Sequence, residues 1–339
     1  SHTGENLAAA FAEILEEFGI SDKVLSITCD NASNNDVMVE RLQDDLDSFE
    51  RVNHTRCFLH VNNLVAQTFV RQFDAPKAKP SGDQPGTDPA DPDYLLHRLA
   101  QDLDVEERIT REALLQELAG TEKVAEDDDL EGWEDETAAL TQAERKVVEE
   151  SLRPVKLLLA KVRKLAYKTV NSTTLLLPAW KTCLEELKMG IRIIPRDVRT
   201  RWNSTYDMLC FVLEYKKAYS RFTADGNNEL RDYELTSEEW KVVEQLCQIL
   251  KVLKDATLYF SRSTANLAHV IPIMDIINDR LTTSANDSAL SPAIRTAAGL
   301  AKKTLNRYYS RTDDSETYRI AMSKYLDFYF VLLHLANVL

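Results

Sequence analysis

Apolar residues in the first 73 positions recur with two different periods, which predicts alternating helices and strands. Helical spacing relates four of them, Leu7, Phe11, Ile14 and Phe18. The run over 24–29 is short and almost continuously apolar, as in a strand whose sheet is covered on both faces. The full predicted series is helix 4–18, strand 24–29, helix 34–46, strand 55–59 and helix 60–73. This alternation indicates an α/β domain over residues 1–73.

The pattern is helical throughout after residue 140. Apolar residues recur at helical spacing over six segments: 141–168, 174–188, 204–222, 236–260, 266–283 and 288–309. Cap signals precede two of these helices, at Asn171–Thr173 and at Thr236 or Ser237. We therefore predict a helical domain over residues 141–339.

The segment between these two regions, residues 74–140, is acidic. It contains 20 acidic and 6 basic residues, whereas the rest of the chain contains 35 of each. Residues 74–93 are rich in Pro, Asp and Gly, so we expect a largely disordered insert with one short helix around 94–118. The insert is either a solvated run or an acidic interaction segment. Because it accounts for the whole formal charge of −14, that charge does not exclude nucleic-acid binding by the remaining residues.

Other features of the composition narrow the class of protein. No run of about 18 apolar residues occurs, so we expect no membrane span. The five cysteines are odd in number and lie in apolar patterns, which favours a reducing compartment over a disulfide scaffold. The chain begins with Ser and without a signal-peptide pattern. We expect it to be cut at its N-terminus or to be an incomplete gene product.

Asp30 ends the first predicted strand and is followed by a cluster of Asn and Ser residues. A carboxylate at the carboxyl end of a strand faces the crevice in which α/β sheets hold ligands. Asp also supplies the oxygen ligands that Mg²⁺ or Mn²⁺ requires, and two such ions about 4 Å apart catalyse phosphodiester chemistry. Asp30 is therefore a candidate catalytic and metal-binding residue. The alternative is a simple turn at Asp30, with Ser33 as a helix cap.

Cys57 and His60 have the spacing of a metal-ligand pair, but no second pair matches them, which argues against zinc. Cys57 is expected to pack inside the protein. His60 stands where the second strand turns into a helix, so its ring could donate to a backbone carbonyl or to a phosphate. We keep His60 as a candidate DNA-binding residue.

The densest basic motif is RDVRTRWNST, in which three arginines fall within six residues. Arginine binds phosphate through paired hydrogen bonds, and an indole can stack on an unpaired base. The candidate DNA-binding residues of this motif are Arg199, Arg201, Trp202 and Asn203. The alternative is a helix start at which Asn203 or Ser204 caps, Trp202 staples the helix entry and the arginines pair with acids. The two interpretations are compatible, because helix N-termini also bind phosphate.

Taken together, these motifs resemble those of the hAT family of DNA transposases. The matching segments occur in the family's order: SHTGEN at 1–6, GISDKVLSITCDNASNND at 19–36, RCFLHVNNL at 56–64 and DVRTRWNSTYDML at 197–209. The resemblance continues through LYFSRSTANLAHVIP at 258–272 and covers most of the chain outside 74–140.

The resemblance implies a fold of class α/β plus all-α: a partial RNase H-like domain with a large helical insertion, mostly helical overall. The family cleaves and transfers DNA with two aspartates and a glutamate that bind two Mg²⁺ or Mn²⁺ ions. Asp30 matches the second aspartate, and Cys57 with His60 matches the family's C-x-x-H motif. Arg201 and Trp202 match its Arg-Trp pair, whose tryptophan stabilises a flipped base. DNA as the partner and the nucleus as the location are implied in the same way.

The resemblance is incomplete at both ends. The family's first aspartate lies upstream of the motif with which this chain begins, and neither its glutamate nor its N-terminal zinc finger has a match. One carboxylate cannot organise a two-metal site that needs three, so we expect no stable metal binding and no strand transfer by this chain. We predict a transposase remnant, domesticated or a fragment, that binds DNA. The alternative is a protein-interaction module that contacts other proteins or a second copy of itself.

Overall fold

The computed structural model describes residues 3–75, 94–100, 103–118, 130–262 and 266–324, and these are mostly helical. The α/β part contains α1 (Gly4–Glu17), β1 (Ile27–Cys29), α2 (Ser33–Asp45), β2 (His54–Arg56) and α3 (Phe58–Arg71). The acidic insert contributes α4 (Tyr94–Ala100) and α5 (Leu103–Leu118). The helical part contains α6 (Gln142–Asn171), α7 (Leu176–Glu186), α8 (Trp202–Glu214), α9 (Lys216–Ala224), α10 (Ser237–Phe260), α11 (Val270–Asn286), α12 (Pro292–Asp313) and α13 (Glu316–Lys324). No helix in these ranges is long and apolar enough to cross a membrane.

Strands β1 and β2 form a small parallel sheet in which Thr28 lies opposite Thr55. Helix α2 makes the crossover between them, as parallel neighbours require. A core of its own packs beneath this unit, formed by Ala8, Leu15, Ile27, Val39, Leu42, Leu46 and Phe49. Because the strands are parallel, their carboxyl ends share one edge of the sheet, where Asp30 and Cys57 follow.

Helix α3 joins the α/β part to the helical part. Eleven of its fourteen residues are buried, which is the pattern of a helix packed on all sides rather than on one face. It contacts α8, α10 and α12. The buried polar residues on α3 have partners: Nδ2 of Asn62 donates to the Leu253 carbonyl at 2.9 Å, and the hydroxyls of Thr68 and Thr304 lie 3.0 Å apart. The core of the helical part therefore extends to α3, beside the separate core beneath the sheet.

The predicted order of the first five elements is confirmed, but both strands are shorter than predicted, at Ile27–Cys29 and His54–Arg56. Residues 58 and 59 belong to α3. The prediction placed them in the strand because a short apolar run has the same sequence pattern in a strand and in a buried helix. The predicted helix 204–222 divides at Tyr215, whose φ of −96° and ψ of 20° leave helical geometry. The predicted cap at Thr236 is confirmed and forms a full capping box.

The expected disorder of the acidic insert concerns mainly residues 76–93 and 119–129, which lie outside the described residues. The helix predicted around 94–118 is found as two helices, α4 and α5, and both contact α6. Residues 130–140 follow as turns that precede α6. The described part of the insert therefore lies against the helical core.

Candidate nucleic-acid interface

Asp30 lies directly after β1, in the turn that leads into α2, and is half-buried. Its Oδ1 accepts hydrogen bonds from the N–H of Ala32 at 3.0 Å and from Nδ2 of Asn35 at 2.5 Å. The first bond defines an Asx turn, so the turn considered as the alternative is present. The expected cap at Ser33 is wrong, because Ala32 holds the N-cap position. The N–H of Ser33 instead donates to the carboxylate of Glu131.

His60 lies in the first turn of α3 and is 8% exposed. Its Nε2 is 2.8 Å from the backbone carbonyl of Glu131. A carbonyl only accepts, so Nε2 carries the proton in this contact. The side chain of the same Glu131 accepts from the start of α2. One residue of the acidic insert therefore bridges the starts of α2 and α3.

A cavity of about 690 Å³ opens beside the turn after β1. Its lining includes Arg51, Arg56, Arg311 and Tyr308, and we call it the arginine pocket. Nη2 of Arg56 pairs with Oδ1 of Asp36 at 2.6 Å, while its Nη1 has no hydrogen-bond partner among the described residues. The guanidinium carbon of Arg311 lies 5.1 Å from the centroid of the Tyr308 ring. The pocket therefore presents three guanidinium groups beside β2 and the turn that follows β1.

His54 also lines the arginine pocket, and its pKa is lowered by burial and by the neighbouring arginines. Burial lowers the pKa of His54 to about 4, with Arg56, Arg51 and Arg311 acting in the same direction and Asp36 opposing them. His54 is therefore neutral at pH 7. Although three carboxylates line the pocket as well, the net effect of the charged neighbours at this ring is that of positive charge.

Asn31 contributes a buried amide to the same pocket and is 7% exposed. Its Nδ2 donates to the hydroxyl of Tyr308 at 3.0 Å, and that hydroxyl donates to the Gly132 carbonyl at 3.0 Å. Oδ1 of Asn31 has no partner among the described residues. Gly132 has a φ of +85°, and a Cβ there would lie 3.0 Å from the Tyr308 hydroxyl oxygen. Only glycine suits this close approach.

The Arg-Trp motif lies in the loop before α8 and in the first turn of that helix. Trp202 is 1% exposed, so its ring cannot stack on a base in this structure. The backbone N–H and Nε of Arg199 both donate to the carboxylate of Glu107. The buried Trp202 and the pairing of Arg199 with Glu107 agree with the alternative interpretation, in which the motif is the start of a helix. The DNA-binding roles of the motif stay predictions.

The side chains of Asn203 and Arg201 do not cap α8. Oδ1 of Asn203 accepts from Nζ of Lys254 at 3.0 Å. The N-cap residue of α8 is Arg201, without a side-chain cap. Asn203 is thus not the cap of α8, because its side chain points to α10 instead.

Asp197 ties the loop of the Arg-Trp motif to the core, and its side chain is 1% exposed. One carboxylate oxygen lies 2.6 Å from Nε of Arg163, which is itself buried on α6. The other oxygen accepts from the hydroxyls of Ser204 at 2.7 Å and Thr205 at 3.0 Å. Arg163 has a second partner in Asp74, at 3.1 Å. The loop is therefore fixed by a buried charge network.

The predicted site residues fall into two groups along α3. Asp30 and His60 lie near its start, where Glu131 connects their surroundings. The Arg-Trp loop touches α3 further along, since Nε2 of Gln67 donates to the Thr200 carbonyl at 2.8 Å. Seven residues of α-helix rise about 10 Å. The structure therefore brings the first two residues into one region and leaves the motif at a distance from them.

Carboxylates of the acidic insert contact cations in both regions. Residues Leu130–Glu136, which we call the acidic strap, cross α3 and α12. Glu134 lies 2.6 Å from Nη1 of Arg307, and Glu136 pairs with the same arginine. Nε1 of Trp133 donates to the hydroxyl of Thr68 at 3.1 Å. The strap therefore contacts α3 and α12, while most of its acidic side chains stay exposed.

The described residues do not fit a two-ion metal centre. In the described part of the chain, no group of three or more His, Cys, Asp and Glu side chains is arranged to hold a metal ion. Oδ1 of Asp30 already accepts two hydrogen bonds. A two-ion site requires more than one carboxylate. No catalytic step through Mg²⁺ or Mn²⁺ follows from these residues.

Two family models match the sequence. The ZBED1 RNase-like domain matches residues 1–57, and the ZBED1 RNase-like helical domain matches residues 139–249. The first range contains Asp30, and the second contains the whole Arg-Trp motif. Most of the acidic insert lies between the two matches. No solved structure matches the chain.

Three relatives illustrate the similarity. The putative AC transposase of Zea mays is 24% identical over 277 residues, which is 78% of this chain and 24% of that protein. The putative transcriptional regulator tpeD of Talaromyces stipitatus is 24% identical over 320 residues, 92% of this chain and 29% of that protein. The zinc finger BED domain-containing protein RICESLEEPER 1 of Oryza sativa is 47% identical over 62 residues, 18% of this chain and 8% of that protein. The chain thus spans less than a third of the length of these relatives.

Proposed function

Because this chain belongs to the hAT family of transposase-derived proteins, we propose that it binds DNA at the arginine pocket. The observation that carries this proposal is the group of three arginines, Arg51, Arg56 and Arg311, that line one cavity beside the sheet. Guanidinium groups bind phosphate oxygens in pairs, and phosphate contacts dominate the affinity of proteins for DNA. The low pKa of His54 is caused first by burial, and the contributions of Arg56, Arg51 and Arg311 in the same direction are consistent with the proposal.

We further propose that the protein acts in the nucleus and does not transfer DNA strands by itself. A nuclear location suits a relative of a putative transcriptional regulator and of BED zinc finger proteins. The α/β part is proposed to be a portion of an RNase H-like domain. Asp30 lacks the grouped carboxylates of a two-ion centre, so incubation with hairpin and duplex DNA and Mg²⁺ or Mn²⁺ should give no cleavage. Cleavage that disappears in Asp30→Ala would overturn this.

Fluorescence anisotropy with labelled 30-nucleotide single strands and duplexes, at 50 to 200 mM salt, tests the binding proposal. Arg311→Ala should weaken binding to all sequences and reduce the slope of log affinity against log salt by about 1. The matched control is Arg231→Ala, which removes the same charge from an exposed pair with Glu234. Equal affinities and slopes for the two variants would exclude the arginine pocket as the site.

The Arg-Trp segment and His60 are the second proposed contact region. Trp202→Ala is a poor probe here, because emptying a buried tryptophan site costs about 3–5 kcal/mol of stability. Arg201→Ala is the sharper test, since it leaves the core volume intact. Binding of DNA by Arg201→Ala as tight as that by the wild type, at every salt concentration, counts against a role for this segment.

The competing function, a protein-interaction module, is favoured by one observation. An apolar groove of about 620 Å³ runs beside β1 and is lined by Phe11, Leu15 and Leu25. Phe18 and Leu25 nearby are 73% and 46% exposed. Apolar exposure of this kind suits contact with another polypeptide, including a second copy of this chain. Light scattering that shows a dimer in the wild type but not in Phe18→Ser, without salt-dependent DNA binding, would favour this function.

A further inference from the structure

Carboxylates of the acidic insert lie at both proposed DNA-contact regions, Glu134 in the wall of the arginine pocket and Glu107 on Arg199. Glu134 lines the arginine pocket and pairs with Arg307 on α12. Glu107 holds both the guanidinium and the backbone N–H of Arg199 in the second region. We propose that these carboxylates stand where DNA phosphates would bind, so that the acidic insert lowers DNA affinity by intramolecular competition. This inference rests on the proposed DNA-binding function.

The strap is anchored through Trp133 and Glu136, whereas Glu134 is exposed. Trp133 is bonded to Thr68, and the guanidinium carbon of Arg71 lies 5.2 Å from its ring centroid. The side chain of Glu136 is 16% exposed and also accepts from the Thr304 hydroxyl at 3.1 Å. The side chain of Glu134 is 66% exposed at the wall of the pocket. Its charge can therefore be removed without disturbing the anchors.

The competition follows from the chemistry of the arginine partners. Carboxylate and phosphate use the same paired donors of a guanidinium, so one arginine side chain cannot serve both fully. The Nε and backbone N–H of Arg199 are already directed at Glu107. Because the carboxylates belong to the same chain, their effective concentration is in the millimolar range or above. DNA must displace them or bind beside them, and either costs affinity.

The test compares wild type with the double variant Glu107→Gln, Glu134→Gln. Glutamine keeps the size of the side chain, removes its charge and exchanges one acceptor oxygen for an amide donor. We expect roughly tenfold tighter DNA binding at 100 mM salt, with the gain shrinking at higher salt. The matched control is Glu149→Gln, Glu150→Gln, which removes two charges from exposed positions on α6. The control should bind like the wild type.

The outcomes separate the inference from the proposed function. Tighter binding by the double variant alone supports the competition. Equal binding by wild type and double variant overturns the competition but leaves the DNA-binding function standing. Equal gains in the double variant and the control overturn it as well, because net charge and not position would then explain the gain. If no form binds DNA even at 20 mM salt, the proposed function fails, and the competition fails with it.

Discussion

Asp197→Asn should destabilise the protein strongly, because it leaves the buried Arg163 with one fewer negative partner. The carboxylate lies 2.6 Å from Nε of Arg163, and both side chains are at most 7% exposed. Removing one partner of a buried ion pair costs about 3–5 kcal/mol. Asp74 remains at 3.1 Å on the other side of the guanidinium, so we expect the lower end, about 3 kcal/mol. The amide oxygen of asparagine can still accept from Ser204, which isolates the effect of the charge.

Chemical denaturation at pH 7, followed by far-UV circular dichroism, measures this loss in a protein that is mostly helical. The matched control is Asp232→Asn, which breaks an exposed pair with Arg98 whose side chains are 59% and 43% exposed. An exposed pair contributes at most about 1 kcal/mol, so the control should barely move the midpoint. A loss for Asp197→Asn no larger than that of the control would refute the view that a buried charge network fixes the Arg-Trp loop.

Three further predictions concern single positions. His54 has a folded pKa of about 4, below the ordinary value of about 6.5, so its contribution to stability is complete above pH 6.5 and is lost as pH falls toward 4. Denaturation midpoints should therefore fall less between pH 7 and pH 4.5 in His54→Gln than in wild type, and equal falls would contradict this. Gly132→Ala should cost about 1–2 kcal/mol, because its φ is +85° and the added Cβ meets Tyr308; Gly226→Ala, where a Cβ meets nothing, is the control for the same melting experiment. Thr236→Ala should cost about 1 kcal/mol through the lost capping box of α10, and an unchanged denaturation midpoint would show that this cap adds nothing.

The order of elements was predictable, because apolar spacing distinguishes a long amphipathic helix from a short strand. The boundary between β2 and α3 was not, since residues 58 and 59 are buried in either form. The position of Asp30 at the end of a strand was also predictable, because the apolar run stops there. The burial of Trp202 was not: a tryptophan beside arginines has the same sequence pattern whether it packs in the core or faces a base.

The arginine pocket was beyond prediction for a different reason. Arg51 and Arg56 lie far along the chain from Arg311, and only the packing of α12 near the sheet brings them to one cavity. None of the three belongs to a dense basic run. The contacts of the strap were missed likewise, because acidic composition alone indicates solvation. Trp133 was the residue that could have indicated that the strap packs on the core, because a large apolar indole in an acidic segment is expected to be buried.

Because α3 is enclosed by helices from distant parts of the sequence, the chain has no clean point of division near residue 73. A fragment that stopped there would present Leu64 and Phe69, both fully covered in the folded chain, to water. Such a fragment would aggregate or recruit a substitute for the missing helices. Heating the whole chain should accordingly melt both parts in a single calorimetric peak, with no intermediate in which the sheet alone survives.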